Sequence, residues 1–294
     1  MYPPFFMEVM MPAQNISSIQ LFRPDWPGFD FIFFDCDSTL CTVEGIDELA
    51  RQKGKFSEIK AMTDAAMAGE VHLQSVYDRR LELLAPTRAE IRALEQTYRQ
   101  TLVPDAIEVI QALRWIEKEL FIVSGGLLAA VRPFGEWLGI PSQNIQAVEV
   151  CYNLLSGQWW DYQQDQWGQR PDVEYLDPEE TPLIQTHGKA EVIQELLAGR
   201  PGRSMLVGDG MSDLAARSAV DLMVGFGGVV SRPRVVAEAE VFIKSNSLAP
   251  VLPLALAADE QARLQNSAYQ KILHKGLAFI EAGEVTFLSS NRSN

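Results

Sequence analysis

The stretch that decides the fold is Phe31–Leu40, which reads FIFFDCDSTL. Its four leading apolar residues are typical of a strand that is buried on both faces, and we predict such a strand over residues 29–35. Asp35 and Asp37 follow at the end of that strand. Two neighbouring carboxylates in a buried place repel each other and lose hydration. We therefore expect a cation beside them, or a site built for chemistry.

Length, composition and charge narrow the class of protein. The chain has 294 residues, of which 47% are hydrophobic and 22% are charged. These proportions are typical of a soluble globular protein with one sizeable core and a smaller second unit. The net charge of −14 argues against a nucleic-acid groove and against binding to an anionic membrane. We expect a small-molecule partner, and an anionic one would need a local positive group.

The cysteines and the first residues indicate the compartment. Cys36, Cys41 and Cys151 form a sparse, odd set without CxxC spacing, which favours a reducing compartment and predicts a cytoplasmic protein. Residues 1–28 contain prolines at positions 3, 4 and 12 and begin without basic residues, so we expect no signal peptide and interpret them as an N-terminal extension. No apolar run is long enough to span a membrane.

The remaining chain divides into an α/β core and a helical insert. Residues 44–102 contain four helical patterns, and Thr87–Glu90 has the capping-box pattern at the start of the last one. Residues 29–43 and 103–257 alternate strands with helices, which predicts a doubly wound, Rossmann-like parallel sheet. Within this core, residues 151–182 are expected to form a hairpin excursion, and VFIKS a short edge strand. Residues 258–294 are interpreted as an amphipathic helix and a tail, with the helix packed on the core or in a homodimer contact.

Three polar clusters fall where predicted strands end. They are 35–39 after FIFF, 124–126 after LFIV and 208–213 after SMLV. Lys189 stands at a predicted helix start between the second and third clusters. Because parallel strands end at one edge of a sheet, we expect these groups to converge.

The residue types in these clusters suit phosphoryl transfer. Several carboxylates without a His or Cys cluster form a hard oxygen site that suits Mg²⁺. Ser124, Lys189 and backbone amides of the glycine-rich turns can hold phosphate oxygens. One aspartate can act as nucleophile and form an acyl phosphate, and a second can act as general acid and base. The sequence thus predicts transfer of a phosphoryl group to aspartate.

These motifs, taken in order, resemble the four motifs of the haloacid-dehalogenase-like phosphatases. Within that superfamily, DCDSTLCTVEGIDELA and the pair AMTDAAMAGE and DRRLELL are similar to blocks of the phosphoserine phosphatase family. The resemblance covers roughly residues 29–250, and it identifies the helical insert with the small cap of that family.

The resemblance implies a role for each matching residue. It makes Asp35 the nucleophile and Asp37 the general acid and base. It implies Mg²⁺ bound by Asp35, Asp209 and the main-chain carbonyl of Asp37. It implies that Ser124, Gly125 and Lys189 bind the phosphate, and that Ser212 and Asp213 lie near the metal or the phosphate. It also implies a substrate-binding set of Glu44, Met67 and Arg80, in which Glu44 faces an ammonium and Arg80 a carboxylate.

The implied activity is Mg²⁺-dependent hydrolysis of O-phospho-L-serine, the last step of serine biosynthesis. Two positions depart from the family pattern. Ser212 stands where many members have asparagine, and Leu73 where the cap usually presents phenylalanine. The open alternatives are the same chemistry on another phosphoamino acid, phosphoethanolamine or a phosphosugar, a catalytically inactive binding or regulatory protein on this fold, and a dehalogenase.

Overall fold

The structure is a computed structural model that describes residues 26–68, 70–71, 73–156, 170–178 and 181–288. The side chains of residues 67–68 and 73–75 are outside this description, as is nearly all of the predicted N-terminal extension. Among the described residues, no helix is both long and apolar enough to cross a membrane.

Two sheets contain the nine strands of the described chain. The strands are β1 (Phe31–Phe34), β2 (Glu119–Leu127), β3 (Ile145–Val148), β4 (Val150–Asn153), β5 (Glu174–Pro178), β6 (Ser204–Gly208), β7 (Leu222–Phe226), β8 (Val241–Ile243) and β9 (Val285–Phe287). The main sheet has the order β3-β2-β1-β6-β7-β8-β9, and all its neighbouring pairs are parallel except β8 and β9. Strands β4 and β5 form an antiparallel pair.

Strand β1 occupies the centre of the main sheet, between β2 and β6. All four of its residues are buried, as the continuous apolar run predicts, because helices cover both faces of a doubly wound sheet. The Phe33 ring stacks on Phe121 of β2 with a centroid distance of 4.6 Å. The central strand therefore fixes the position of the aspartates that follow it.

Four helices lie in the predicted insert, residues 44–102, which follows β1. They are α1 (Gly45–Gln52), α2 (Phe56–Ala68), α3 (Leu73–Leu84) and α4 (Arg88–Gln100). The predicted capping box is confirmed, since Thr87 Oγ1 accepts from the Glu90 N–H and a Glu90 carboxylate oxygen accepts from the Thr87 N–H. We call residues 44–102 the cap.

Eight further α-helices follow the cap in the described chain. They are α5 (Ala106–Trp115), α6 (Leu128–Leu138), α7 (Gly188–Leu197), α8 (Met211–Ala215), α9 (Pro233–Glu238), α10 (Val251–Ala255), α11 (Ala258–Gln265) and α12 (Gln270–Glu281). Helices α5 and α6 pack on β2, and α12 packs on α10. The alternation of strands and flanking helices confirms the predicted α/β class.

The prediction of an edge strand at VFIKS was wrong. Strand β8 lies inside the sheet, because β9 from the predicted tail pairs with it antiparallel, with Val241 opposite Phe287. A three-residue strand is too short to show a period, so the sequence of the tail did not reveal it. The apolar stretch IQAVEV, residues 145–150, is divided between β3 and β4. The hairpin excursion is present as β4 and β5, while its SGQWWDYQ segment falls largely in residues 157–169, outside the described chain.

Candidate active site

The loops that follow β1 and β6 meet at one edge of the sheet, together with the start of α7. Lys189 Nζ lies 2.9 Å from an Asp35 carboxylate oxygen and 2.7 Å from one of Asp213. All three residues are buried. The convergence that was expected from parallel strand ends is confirmed.

Lys189 is a buried cation between two carboxylates. Burial lowers the pKa of its ammonium group, but the negative charges of Asp213 and Asp35 outweigh burial, so its pKa is raised and the group stays charged. Burial raises the pKa of Asp213 to about 6, against the attraction of Lys189. The result is a fixed positive charge at the edge of the sheet, where a phosphate group would need one.

Three carboxylates form an oxygen-rich cluster beside this lysine. Ligand oxygens of Asp35, Asp209 and Asp213 all lie within 4.8 Å of one another, and all three residues are buried. Burial raises the pKa of Asp209 well above its ordinary value, although the neighbouring Arg232 opposes this effect. Such a hard, buried donor set fits a divalent cation such as Mg²⁺, which would relieve the repulsion between the carboxylates.

The Asp37 side chain points away from this cluster and towards the cap. One of its carboxylate oxygens accepts from the Gly45 N–H at 3.3 Å, at the start of α1. Burial, then the negative charges of Glu44 and Asp35, raise the pKa of Asp37 well above its ordinary value. A carboxyl group with a raised pKa holds its proton more readily, and such a group can donate that proton to a leaving oxygen.

Ser124 and Gly125 lie in the irregular end of β2. The strand runs to Leu127, longer than the predicted LFIV, and its register with β3 shifts after Val123. Ser124 is buried, and its Oγ accepts from the Gly126 N–H at 3.0 Å. The Gly125 carbonyl accepts from the hydroxyl of Tyr77 in the cap at 3.1 Å. This end of β2 therefore contacts both the sheet edge and the cap.

Arg80 on α3 is a buried cation on the cap side of the same pocket. Its Nη1 donates to Thr63 Oγ1 at 3.1 Å, and the Thr63 hydroxyl in turn donates to Asp47 at 2.9 Å. Arg80 Nε has no hydrogen-bond partner within the described part of the chain, and no described carboxylate lies within 4.0 Å of the guanidinium. Burial lowers the pKa of Arg80. By contrast, the neighbouring Arg79 is exposed and pairs with Glu82 at 3.6 Å.

Glu44 and Arg232 link the cap to the carboxylate cluster of Asp35, Asp209 and Asp213. One oxygen of Glu44, Oε1, accepts from the Ser38 hydroxyl at 2.8 Å and lies 3.5 Å from Arg232 Nη2. Arg232 Nε also donates to Asp209 at 3.0 Å. Sequence reasoning missed Arg232, although it follows β7 at the same sheet edge, so the rule of strand ends could have found it.

One pocket joins most of the predicted site residues. Residues of the sheet edge and of the cap both line this pocket, as does Ser212 at the start of α8. The predicted site residues in its lining are Asp35, Asp37, Glu44, Arg80, Ser124, Gly125, Lys189 and Ser212. The cap adds Tyr77 and Tyr98, which sequence reasoning did not identify. Asp209 and Asp213 do not line the pocket. The side chains of Met67 and Leu73 are outside the described residues.

Carboxylates, a lysine and a serine lie at one edge of a parallel sheet, under a helical insert. This arrangement defines a class of phosphate-processing hydrolases. The family model of the haloacid dehalogenase-like hydrolases matches residues 32–217. The chain belongs to this family, and within it to the phosphoserine phosphatases, whose members include similar curated relatives.

The relatives cover most of the chain. Phosphoserine phosphatase of Drosophila melanogaster is 31% identical over 72% of this chain and 73% of its own. The enzyme of Bos taurus is 31% identical over 73% of this chain and 88% of its own. A solved substrate-bound phosphoserine phosphatase complex is 25% identical, with a TM-score of 0.59 over 76% of this chain and 96% of that chain. The protein is a phosphoric monoester hydrolase with a phosphoserine phosphatase-like function, of a family whose phosphatases use a divalent metal.

Proposed function

We propose that this protein hydrolyses O-phospho-L-serine to L-serine and phosphate, with Mg²⁺ and through a phosphoaspartyl intermediate on Asp35. The observation that carries the choice of substrate is Arg80, a buried cation without a carboxylate partner among the described residues, in the same pocket as Lys189 and Asp35. A phosphate group alone needs only the sheet edge. A second, buried cation favours a substrate with a second anionic group, such as the carboxylate of an amino acid.

The first half of the reaction uses both aspartates of the quoted stretch. The Asp35 carboxylate attacks phosphorus, and the bond between phosphorus and the serine oxygen breaks. Asp37 gives its proton to that oxygen, which its raised pKa permits. Lys189 and the Ser124 hydroxyl, with the Gly125 backbone, hold the phosphate oxygens during transfer. Serine can then leave, with Asp37 ionised.

The second half returns the site to its starting state. Asp37 takes a proton from water, whose oxygen attacks phosphorus, and the bond to Asp35 breaks to release phosphate. Mg²⁺, when bound by Asp35, Asp209 and the Asp37 main-chain carbonyl with Asp213 nearby, neutralises charge on the transferring group.

The cap is proposed to select the amino acid. Arg80 takes the carboxylate through its free Nε side, and Glu44 takes the ammonium. The described contacts of Glu44 use Oε1, and Oε2 has none of the hydrogen bonds or ion pairs found among the described residues, which leaves that oxygen for the substrate. Ser212 is proposed to lie near the phosphate and Met67 to line the pocket. We place the reaction at the last step of serine biosynthesis, in the cytoplasm.

The test is phosphate release over a panel of small esters, with and without Mg²⁺. The panel contains O-phospho-L-serine, O-phospho-L-threonine, phosphoethanolamine and a hexose phosphate. We expect kcat/KM to be highest for phosphoserine, and about 100-fold above phosphoethanolamine, which lacks the carboxylate that Arg80 would bind. Equal values for these two esters would refute the substrate assignment. No phosphate release from any ester in Mg²⁺ would refute the catalytic one.

A further inference from the structure

A tyrosine that the mechanism above does not use lies beside its proton donor. Tyr98 on α4 is fully buried and lines the pocket, and its ring packs on Phe134 with a centroid distance of 5.5 Å. Its hydroxyl makes no hydrogen bond of ordinary geometry with the residues that the structure describes, but it lies close enough to Asp37 to interact with that side chain. Buried hydroxyl groups are ordinarily hydrogen-bonded, so one that lines a pocket and reaches only an acid calls for a function.

The position of the hydroxyl is fixed by Gly45. A Cβ atom at Gly45 would lie 2.2 Å from Tyr98 Oη, so only glycine leaves room for the hydroxyl there. The N–H of the same glycine donates to the Asp37 carboxylate at 3.3 Å. The hydroxyl and this N–H therefore approach Asp37 from neighbouring positions.

The Tyr98 hydroxyl is suited to donate a hydrogen bond to Asp37. Burial, then the negative charge of Asp37, raise the pKa of the Tyr98 phenol well above its ordinary value. The raised pKa favours the protonated phenol, which carries the hydrogen that such a bond needs. The Tyr98 hydroxyl also acts on Asp37, because hydrogen bonding from Tyr98 lowers the pKa of Asp37 while burial raises it.

We propose that Tyr98 is a positioning residue that holds and stabilises Asp37 at the moment when Asp37 loses its proton to the leaving oxygen. This inference rests on the proposed function. When the ester bond breaks, its electron pair goes to the leaving oxygen, the Asp37 proton follows, and Asp37 becomes a carboxylate. Tyr98 keeps its own proton and donates a hydrogen bond to the new charge, beside the Gly45 N–H.

This arrangement favours the transition state over the ground state. A neutral, protonated Asp37 gains little from a second donor, whereas a developing carboxylate in a water-poor pocket gains much. A donor that already lies beside Asp37, and that has no other partner among the described residues, has no other hydrogen bond to break as the charge appears. This would account for a buried hydroxyl whose one described neighbour of this kind is an acid.

The test compares two leaving groups in a Tyr98→Phe variant of the full chain. O-phospho-L-serine leaves as a poor alkoxide and needs the proton of Asp37, whereas p-nitrophenyl phosphate leaves as a stable phenolate and needs it little. The parameter is kcat/KM, because it reports transfer to the enzyme and not the later hydrolysis, which both esters share. We expect a loss of about 10- to 50-fold on phosphoserine and of less than about threefold on p-nitrophenyl phosphate.

Two further variants separate positioning from packing. Gly45→Ala would place a methyl group where Tyr98 Oη lies, and should give the same selective loss with the tyrosine still present. It also stands in if Tyr98→Phe does not fold. Tyr269→Phe, far from the pocket and beside Trp115, is the matched control and should leave both esters unchanged.

An equal loss on both esters, or no loss on either, would overturn the role of Tyr98. A wild-type protein that releases no phosphate at all would overturn the proposed function and this inference with it. If the wild type prefers another alkyl phosphate, only the substrate assignment fails. The comparison with p-nitrophenyl phosphate then tests Tyr98 on that ester.

Discussion

The two ends of the pocket differ in how their buried charges are paired. At the sheet edge, cations lie against carboxylates of the same chain, in the pairs Lys189 with Asp35 and Asp213, and Arg232 with Asp209 and Glu44. At the cap end, Arg80 is equally buried but meets no carboxylate within 4.0 Å among the described residues. The sheet edge is thus assembled by the fold itself, and we infer that the cap end takes an anion from outside.

The difference assigns separate tasks to the two ends. A buried charge without a counter-ion is costly, so a ligand that supplies the missing anion should stabilise the cap end most. The reacting groups at the sheet edge would serve any phosphate ester, while the cap would decide which ester is held. Changes at the sheet edge should therefore affect all substrates alike, and changes at Arg80 should depend on the substrate.

The largest effect is expected for Asp35→Asn. The amide cannot act as the nucleophile, so turnover should fall on the order of 10⁴-fold or more on every ester. Phosphate release measured over the same panel checks this. Asp259→Asn, an exposed change on α11, is the control and should keep full activity. Retained turnover on any one ester would show that the sheet edge does not act as a common centre.

Arg80→Met should show the opposite behaviour, a loss that depends on the substrate. We expect kcat/KM for O-phospho-L-serine to fall about 100-fold, because the substrate carboxylate loses its charged partner. Phosphoethanolamine should change by less than about threefold, since it presents no carboxylate. Arg79→Met is a matched control on the exposed face of the same helix. Similar losses on both esters would remove the distinction between the two ends.

Metal binding at the sheet edge should depend on pH. Burial raises the pKa of Asp213 to about 6 and that of Asp209 well above its ordinary value, so as the pH falls towards 6 these groups take up protons that a metal must displace. Below about pH 6, each displaced proton should weaken Mg²⁺ binding by up to about tenfold per pH unit. Titration calorimetry in buffers of different ionisation enthalpy measures the protons released. Binding without proton release at pH 6 would contradict these raised pKa values.

The smallest effect is expected for Tyr77→Phe. This change removes the hydroxyl that joins the cap to the Gly125 carbonyl at 3.1 Å and leaves the ring in place. One hydrogen bond of this kind predicts a rise in KM of about three- to tenfold for all esters, with kcat nearly constant. Steady-state kinetics on phosphoserine and phosphoethanolamine would measure it. A change confined to phosphoserine would place Tyr77 with the substrate-selecting group instead.

The sequence predicted best what depends on local pattern and strand order. Asp35, Lys189 and Asp213 converge because parallel strands end at one edge, a rule that needs no coordinates. Arg232 also follows a strand at this edge, so the same rule could have found it. The contact of Tyr77 with the Gly125 carbonyl could not be predicted in this way, since it joins residues far apart in the chain through side-chain packing. Strand β9 was missed for a similar reason, because it gains its hydrogen bonds only from β8. We expect the departures at Ser212 and Leu73 to affect substrate affinity, which the panel of esters measures.

Asp35 is proposed to accept the phosphoryl group from an amino-acid phosphate. A rapid acid quench of the enzyme with O-phospho-L-serine and Mg²⁺, followed by peptic digestion and mass spectrometry, tests this. We expect a phosphate mass increment on the peptide that contains FIFFDCDSTL, located on Asp35 and absent from Asp35→Asn. Serine release with phosphate found on another residue, or with continued turnover in Asp35→Asn, would contradict it.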